Sequence, residues 1–128
     1  MPSTSAKKVL LVDDDEEHLL ICRLVLEHRG YEVLGFGNFE TVDQVFEIVY
    51  SFRPNVLFVD QQISGINYER ISPMLKQVPE VAHIPVICFW SGAKDERTAF
   101  PAGIDDYLPK PLKVGALLSV LAKYTGDE

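Results

Sequence analysis

Apolar residues in this chain fall into five short runs, and longer segments with helical spacing separate them. The runs are Val9-Leu10-Leu11-Val12, Tyr31-Glu32-Val33-Leu34, Val56-Leu57-Phe58-Val59, Val86-Ile87-Cys88-Phe89-Trp90 and Tyr107-Leu108. Three of them are apolar throughout rather than alternating. Strands read that way when both faces of a parallel sheet are covered. The first helix is predicted over about Glu16 to Arg29, with Leu19, Leu20, Cys22, Leu24, Val25 and Leu26 as its apolar residues. Gly30 follows as a stop, since glycine enters the left-handed region freely. A second helix is predicted from about Glu40 to Phe52, because Val42, Val45, Phe46 and Val49 fall at spacings of three and four. Pro54 bars its extension. A third lies between about Asn67 and Val78. Pro73 within it implies either a kink or a late start with the proline in the first turn. Between Ser91 and Asp105 lie thirteen residues, interrupted by Pro101, so a fourth helix there has little more than two turns. The last begins after Pro111 and carries Leu112, Val114, Leu117, Leu118, Val120 and Leu121. The sum is an α/β chain of (βα)5 type, a doubly wound five-stranded parallel sheet with helices on both faces.

Composition narrows the picture. The 128 residues fit a single domain over 1–128, with residues 1–7 expected to form a flexible N-terminus. Hydrophobic residues at 47% and charged residues at 24% are ordinary for a soluble globule. No apolar stretch approaches the roughly 20 residues of a membrane helix, and the polar start is not a signal peptide. A cytoplasmic protein with no membrane association is expected. A formal net charge of −7 gives no electrostatic reason to bind nucleic acid directly. Cys22 and Cys88 lie far apart in apolar runs and read as buried free thiols. His18, His28 and His83 share no metal-ligand spacing with them, so a zinc site is not expected.

The candidate chemistry sits at strand ends. Asp13, Asp14 and Asp15 directly follow the first strand, and Asp60 directly follows the third. In the flavodoxin-like strand order 2-1-3-4-5 those strands are neighbours, which would gather Asp13, Asp14 and Asp60 in one pocket. Like charges that close repel, so something must compensate. A divalent cation with oxygen ligands, most naturally Mg2+, is one compensator. Lys110, just past the fifth strand, is the other. Asp14 or Asp15 has a plainer use as the cap of the first helix, but that does not account for Asp60. The pocket suits phosphoryl transfer, in which a carboxylate attacks phosphorus and holds an acyl phosphate, and positive charge neutralises the equatorial oxygens. Ser91, at the end of the fourth strand, either donates to a phosphoryl oxygen or is a plain turn serine.

The segments Val9-Leu-Leu-Val-Asp-Asp-Asp15, Pro54-Asn-Val-Leu-Phe-Val-Asp60, Pro85-Val-Ile87 and Asp105-Asp-Tyr-Leu-Pro-Lys-Pro111 together resemble the receiver domain of bacterial two-component response regulators, over nearly the whole chain. The resemblance implies that Asp60 is the phosphoacceptor, forming an aspartyl phosphate. It implies that Asp13 and Asp14 help hold Mg2+ with Asp60 and the backbone carbonyl of Gln62. It also implies that Lys110 pairs with the phosphoryl group, that Lys110-Pro111 is cis, a state only X-Pro bonds reach cheaply, and that Tyr107 is an aromatic switch. Such a domain takes its phosphoryl group from a histidine kinase or phosphotransfer protein within a phosphorelay. It is not an enzyme beyond self-phosphorylation and slow autodephosphorylation. The downstream protein partner is not named by the sequence, a homodimer is left open, and the chain is either a standalone regulator or a piece of a longer protein.

Three departures stand out. The sixth residue counted from Pro85, where receivers usually carry Thr or Ser, is Trp90, and Ser91 comes one later. Either the strand shifts by one and Ser91 serves, or an indole stands in place of the hydroxyl and impedes Tyr107. The stretch from Trp90 to Lys110 is slightly short and contains Pro101. Ser64 stands where a proline is usual, and Tyr68 where a glycine is usual. These departures keep a pseudo-receiver, a binding module without a working switch, as the alternative. A haloacid-dehalogenase-like phosphatase, with Asp13-Asp14-Asp15 as its opening motif, is a further one.

Overall fold

A computed structural model describes residues 7–90 and 103–126. Its strands are β1 (Lys8–Val12), β2 (Glu32–Phe36), β3 (Val56–Asp60), β4 (Val86–Trp90) and β5 (Asp106–Pro109). Its helices are α1 (Glu16–His28), α2 (Val42–Phe52), α3 (Ile71–Lys76) and α4 (Val114–Thr125), with a 3-10 turn at Tyr68–Arg70 before α3. All strand pairs are parallel, in the order β2-β1-β3-β4-β5. The doubly wound sheet and its strand order are those expected from the sequence. The expected short fourth helix falls almost wholly within residues 91–102, outside the described residues.

The sheet divides the core in two by the alternation of its strands. Leu10, Val12, Leu57, Val59 and Val86 face α2 and α3, where Val45, Val49, Ile71 and Leu75 meet them. Val9, Leu11, Val56, Phe58, Ile87 and Phe89 face α1 and α4, where Cys22, Leu26, Leu117 and Leu121 meet them. Every residue of β3 and β4 is buried. That explains why these runs show no polar alternation. Each large side chain so buried contributes about 1.5–3 kcal/mol.

Element ends follow local chemistry. Asp15 caps α1, its carboxylate accepting from the His18 N–H at 3.2 Å. The second helix begins at Val42 rather than Glu40. Thr41 takes the cap position, and the Gln44 side chain reaches back to the N–H groups of Thr41 (3.4 Å) and Glu40 (2.6 Å), which holds Glu40 outside the helix. The third segment resolves the choice posed by Pro73. The chain makes a 3-10 turn, and α3 then starts late, with Pro73 as its third residue. A missing N–H costs nothing there, because the first-turn donors have no partner within the helix. Cys22 and Cys88 are free and buried, as expected.

Phe58 carries the sharpest packing prediction. It is fully buried and stacks on Phe89 at 5.3 Å between ring centroids. Phe58→Ala is expected to cost about 3–5 kcal/mol, read as the change in urea-unfolding free energy.

Candidate phosphoacceptor site

The carboxyl ends of β1 and β3 bring two buried carboxylates together. Asp13 is 1% exposed and Asp60 2% exposed. Neither could be ionised there without partners, and each oxygen has one. Asp60 Oδ1 accepts the Gln62 N–H at 2.9 Å. Asp60 Oδ2 accepts from Lys110 Nζ at 2.5 Å. Asp13 Oδ1 accepts the Asp15 N–H at 2.9 Å, and Asp13 Oδ2 pairs with His18 Nδ1. A carboxylate oxygen has about two acceptor sites, so each keeps capacity toward the pocket.

Asp14 is exposed, and its Oδ2 accepts the Ser64 N–H at 3.0 Å. That bond ties the loop after β3 to the end of β1. Lys110 is set by the end of β5: its own N–H donates to the Trp90 carbonyl at 2.8 Å, and the Lys110-Pro111 bond is cis.

The charges act on one another. Burial raises the Asp13 carboxyl, but the hydrogen bonds it accepts from His18 and the Asp15 N–H outweigh burial and hold it below the ordinary aspartate value. For Lys110, burial lowers the ammonium, but the hydrogen bond and charge of Asp60 prevail, helped by Asp13 and Asp15, and its pKa lies above the usual lysine value. Asp13, Asp14 and Asp60 together carry three negative charges against one on Lys110. The remaining two match a divalent cation. Among the described residues no three His, Cys, Asp or Glu side chains form a metal cage. A cation held here would have a couple of carboxylates, backbone oxygen and water around it, which is how Mg2+ is usually held.

Two members of the site escaped the sequence reading. Gly37 follows β2 and lies against the acidic turn. A Cβ there would stand 2.5 Å from Asp14 Cα and 2.6 Å from the Asp13 carbonyl oxygen, so only glycine lets the chain pass. His18 was noted as a histidine without metal spacing, yet it is bonded to Asp13. Its position five residues past Asp13, on the first turn of α1, was the available signal.

The other expected residues sit as follows. Pairing runs without a break from Leu57–Val86 to Asp60–Phe89, and from Ile87–Asp106 to Trp90–Pro109. Strand β4 therefore contains no extra residue up to Trp90. That residue ends the strand one step past the level of Asp60, and it is 5% exposed. Ser91 lies outside the described residues. Tyr107 is half-buried on β5, level with Cys88. Gln62 is in the loop that follows Asp60.

A doubly wound sheet with paired aspartates at the ends of β1 and β3, one of them bonded to a lysine past β5, defines a receiver domain. The chain belongs to the response regulator receiver domain family, whose family model matches residues 9–122. It is similar to the polar-differentiation response regulator DivK of Brucella anthropi, at 30% identity over 94% of this chain and 98% of that protein. Its fold is similar to a putative response regulator from Chloroflexus aurantiacus, with a TM-score of 0.83 and 26% identity over 94% of this chain and 98% of the other. It also matches the receiver domain of a sensor histidine kinase from Pseudomonas aeruginosa, with a TM-score of 0.83 and 20% identity over 95% and 99% of the two chains. That structure has a magnesium ion coordinated in its active-site cleft. The family leaves no place for the haloacid-dehalogenase-like reading. Receiver domains are signalling modules. Among the described residues no helix is long and apolar enough to cross a membrane.

The Lys110 pair makes a pH prediction. A folded pKa raised above the unfolded one gives stability that is whole below about pH 10 and is lost as pH rises through the folded value. The difference in urea-unfolding free energy between the parent and Lys110→Met should therefore hold through neutral pH and shrink above about pH 10. A difference that instead grew with alkalinity would contradict the pairing.

Proposed function

We propose that this receiver accepts a phosphoryl group on Asp60 from a phosphohistidine of a histidine kinase or phosphotransfer protein, in the cytoplasm. The observation that carries the reading is the buried Asp60 carboxylate, bonded to Lys110 and set beside Asp13. In the transfer a carboxylate oxygen of Asp60 forms a bond to phosphorus. The bond from phosphorus to the donor imidazole breaks, and that nitrogen keeps the electron pair. Lys110, already on Asp60, moves little to reach the arriving oxygens. Asp13, Asp60 and the Gln62 carbonyl, with Asp14 alongside, are the residues to hold Mg2+. When bound, the cation supplies positive charge for the phosphoryl oxygens. The product is an aspartyl phosphate, hydrolysed slowly by the domain itself.

The surface beside the pocket fits a protein donor. On α1, Leu20, Ile21 and Leu24 are 57%, 49% and 59% exposed. Ile21 also lines a groove of about 330 Å3 with His18, Lys110, Pro111, Leu112 and Val114. Apolar side chains gathered beside a polar pocket suit a partner that docks there.

Trp90 favours a second reading, a pseudo-receiver without a working phospho-switch. A bulky indole at the end of β4 stands where a hydroxyl usually responds to the phosphate, and a domain of that kind serves as a binding module. Tyr107 and Ser91 belong to the same question.

Incubation with acetyl phosphate and Mg2+ is expected to add one phosphate by mass to the parent and none to Asp60→Asn. Label on Asp60→Asn, or none on the parent, would sink the reading, and the latter favours the binding module. Ile21→Asp should slow transfer from a phosphorylated partner at least tenfold while leaving acetyl phosphate labelling within twofold, as expected when about 1.4 kcal/mol or more of docking energy is lost.

A further inference from the structure

We infer that His18 is a positioning residue of the phosphoacceptor site, holding the Asp13 carboxylate for the cation through Nδ1–H. The inference deepens the proposed function and rests on it. Asp13, kept ionised, can only accept hydrogen bonds, so the His18 nitrogen facing its Oδ2 must carry the proton. The far nitrogen, Nε2, stands 4.0 Å from Cys22 Sγ. Burial and the charge of Asp13 push that thiol up to about 12, so Cys22 keeps its S–H. The direction at Asp13 is fixed: the His18 Nδ1–H donates and Oδ2 accepts.

The ring has little freedom to leave. His18 is 9% exposed and meets the edge of Phe89 at 4.6 Å between centroids. The Asp15 cap fixes its backbone N–H at 3.2 Å. Phe89 pairs level with Asp60 in the sheet. The imidazole thus connects the capped start of α1, the strand beside the phosphoacceptor and the second carboxylate. With Asp13 Oδ1 taken by the Asp15 N–H and Oδ2 by His18, the carboxylate plane is fixed before any cation arrives. Carboxylates that ligate metals are commonly oriented by such partners, and losing the partner weakens binding.

The test separates the hydrogen bond from the packing. His18→Leu keeps an apolar body against Phe89 and removes the donor. His18→Asn places an amide N–H close to where Nδ1 stands. Mn2+, a paramagnetic stand-in for Mg2+, is titrated into each full chain. Free ion is followed by electron paramagnetic resonance, and Trp90, the single tryptophan, supplies a fluorescence signal beside the site. His18→Leu is expected to weaken binding about tenfold or more, and His18→Asn to return it to within about threefold of the parent. Parent-like affinity in His18→Leu overturns the inference, and so does an equal loss in both variants. Circular dichroism checks folding, and His18→Met replaces the leucine variant if that one does not fold. A parent chain that binds no Mn2+ and takes no phosphate would instead fail the proposed function, a result distinct from either outcome for His18.

Discussion

Two buried carboxylates at adjacent strand ends are the constraint around which this structure is arranged. Asp13 and Asp60 each lie almost wholly out of water, and a buried charge is tolerated only when it is paired and hydrogen-bonded. Each of the four carboxylate oxygens is met by a donor from a different part of the chain: the loop after β1, the first turn of α1, the loop after β3 and the residue past β5. None of these donors belongs to the sheet itself. The sheet places the carboxylates, and the loops and α1 make them affordable. An apolar core on both faces keeps the strand ends fixed, so that the donors converge on a stationary target.

The same arrangement leaves the pocket with the charge that the proposed chemistry needs. Lys110 offsets one negative charge and leaves the pocket anionic. A fully neutralised cluster would have no use for a cation, and an uncompensated one would not stay ionised. The lowered Asp13 and the raised Lys110 express this balance from opposite sides. Gly37 adds a steric condition: the chain after β2 passes so close to the acidic turn that any Cβ would collide with it.

Much of this was legible in the sequence. The strands β3 and β4 were plain because burial on both faces removes polar residues from the run. Asp13, Asp60 and Lys110 were legible because a charged residue directly after an apolar strand has few plain uses, and three such ends define a pocket once the strand order is known. Asp15 read correctly as a cap. The start of α2 was misplaced because a side chain, Gln44, takes the N–H groups that would have extended the helix, and periodicity does not see caps. His18 was passed over because its partner is a carboxylate five residues away across a turn, not a metal-ligand motif. Gly37 was passed over because the close approach it permits is a tertiary contact. Trp90 was recognised as a departure, and the unbroken register of β4 now places it at the strand end.

The central claim is that the pocket binds a tetrahedral anion on Asp60 with the aid of a divalent cation. Fluorine NMR of the chain with beryllofluoride, a phosphoryl mimic, tests it most directly. One bound beryllofluoride per chain is predicted in the presence of Mg2+, with no bound signal once Asp60 is replaced by asparagine. A bound signal that survives Asp60→Asn, or none in the parent at saturating Mg2+, would contradict the account.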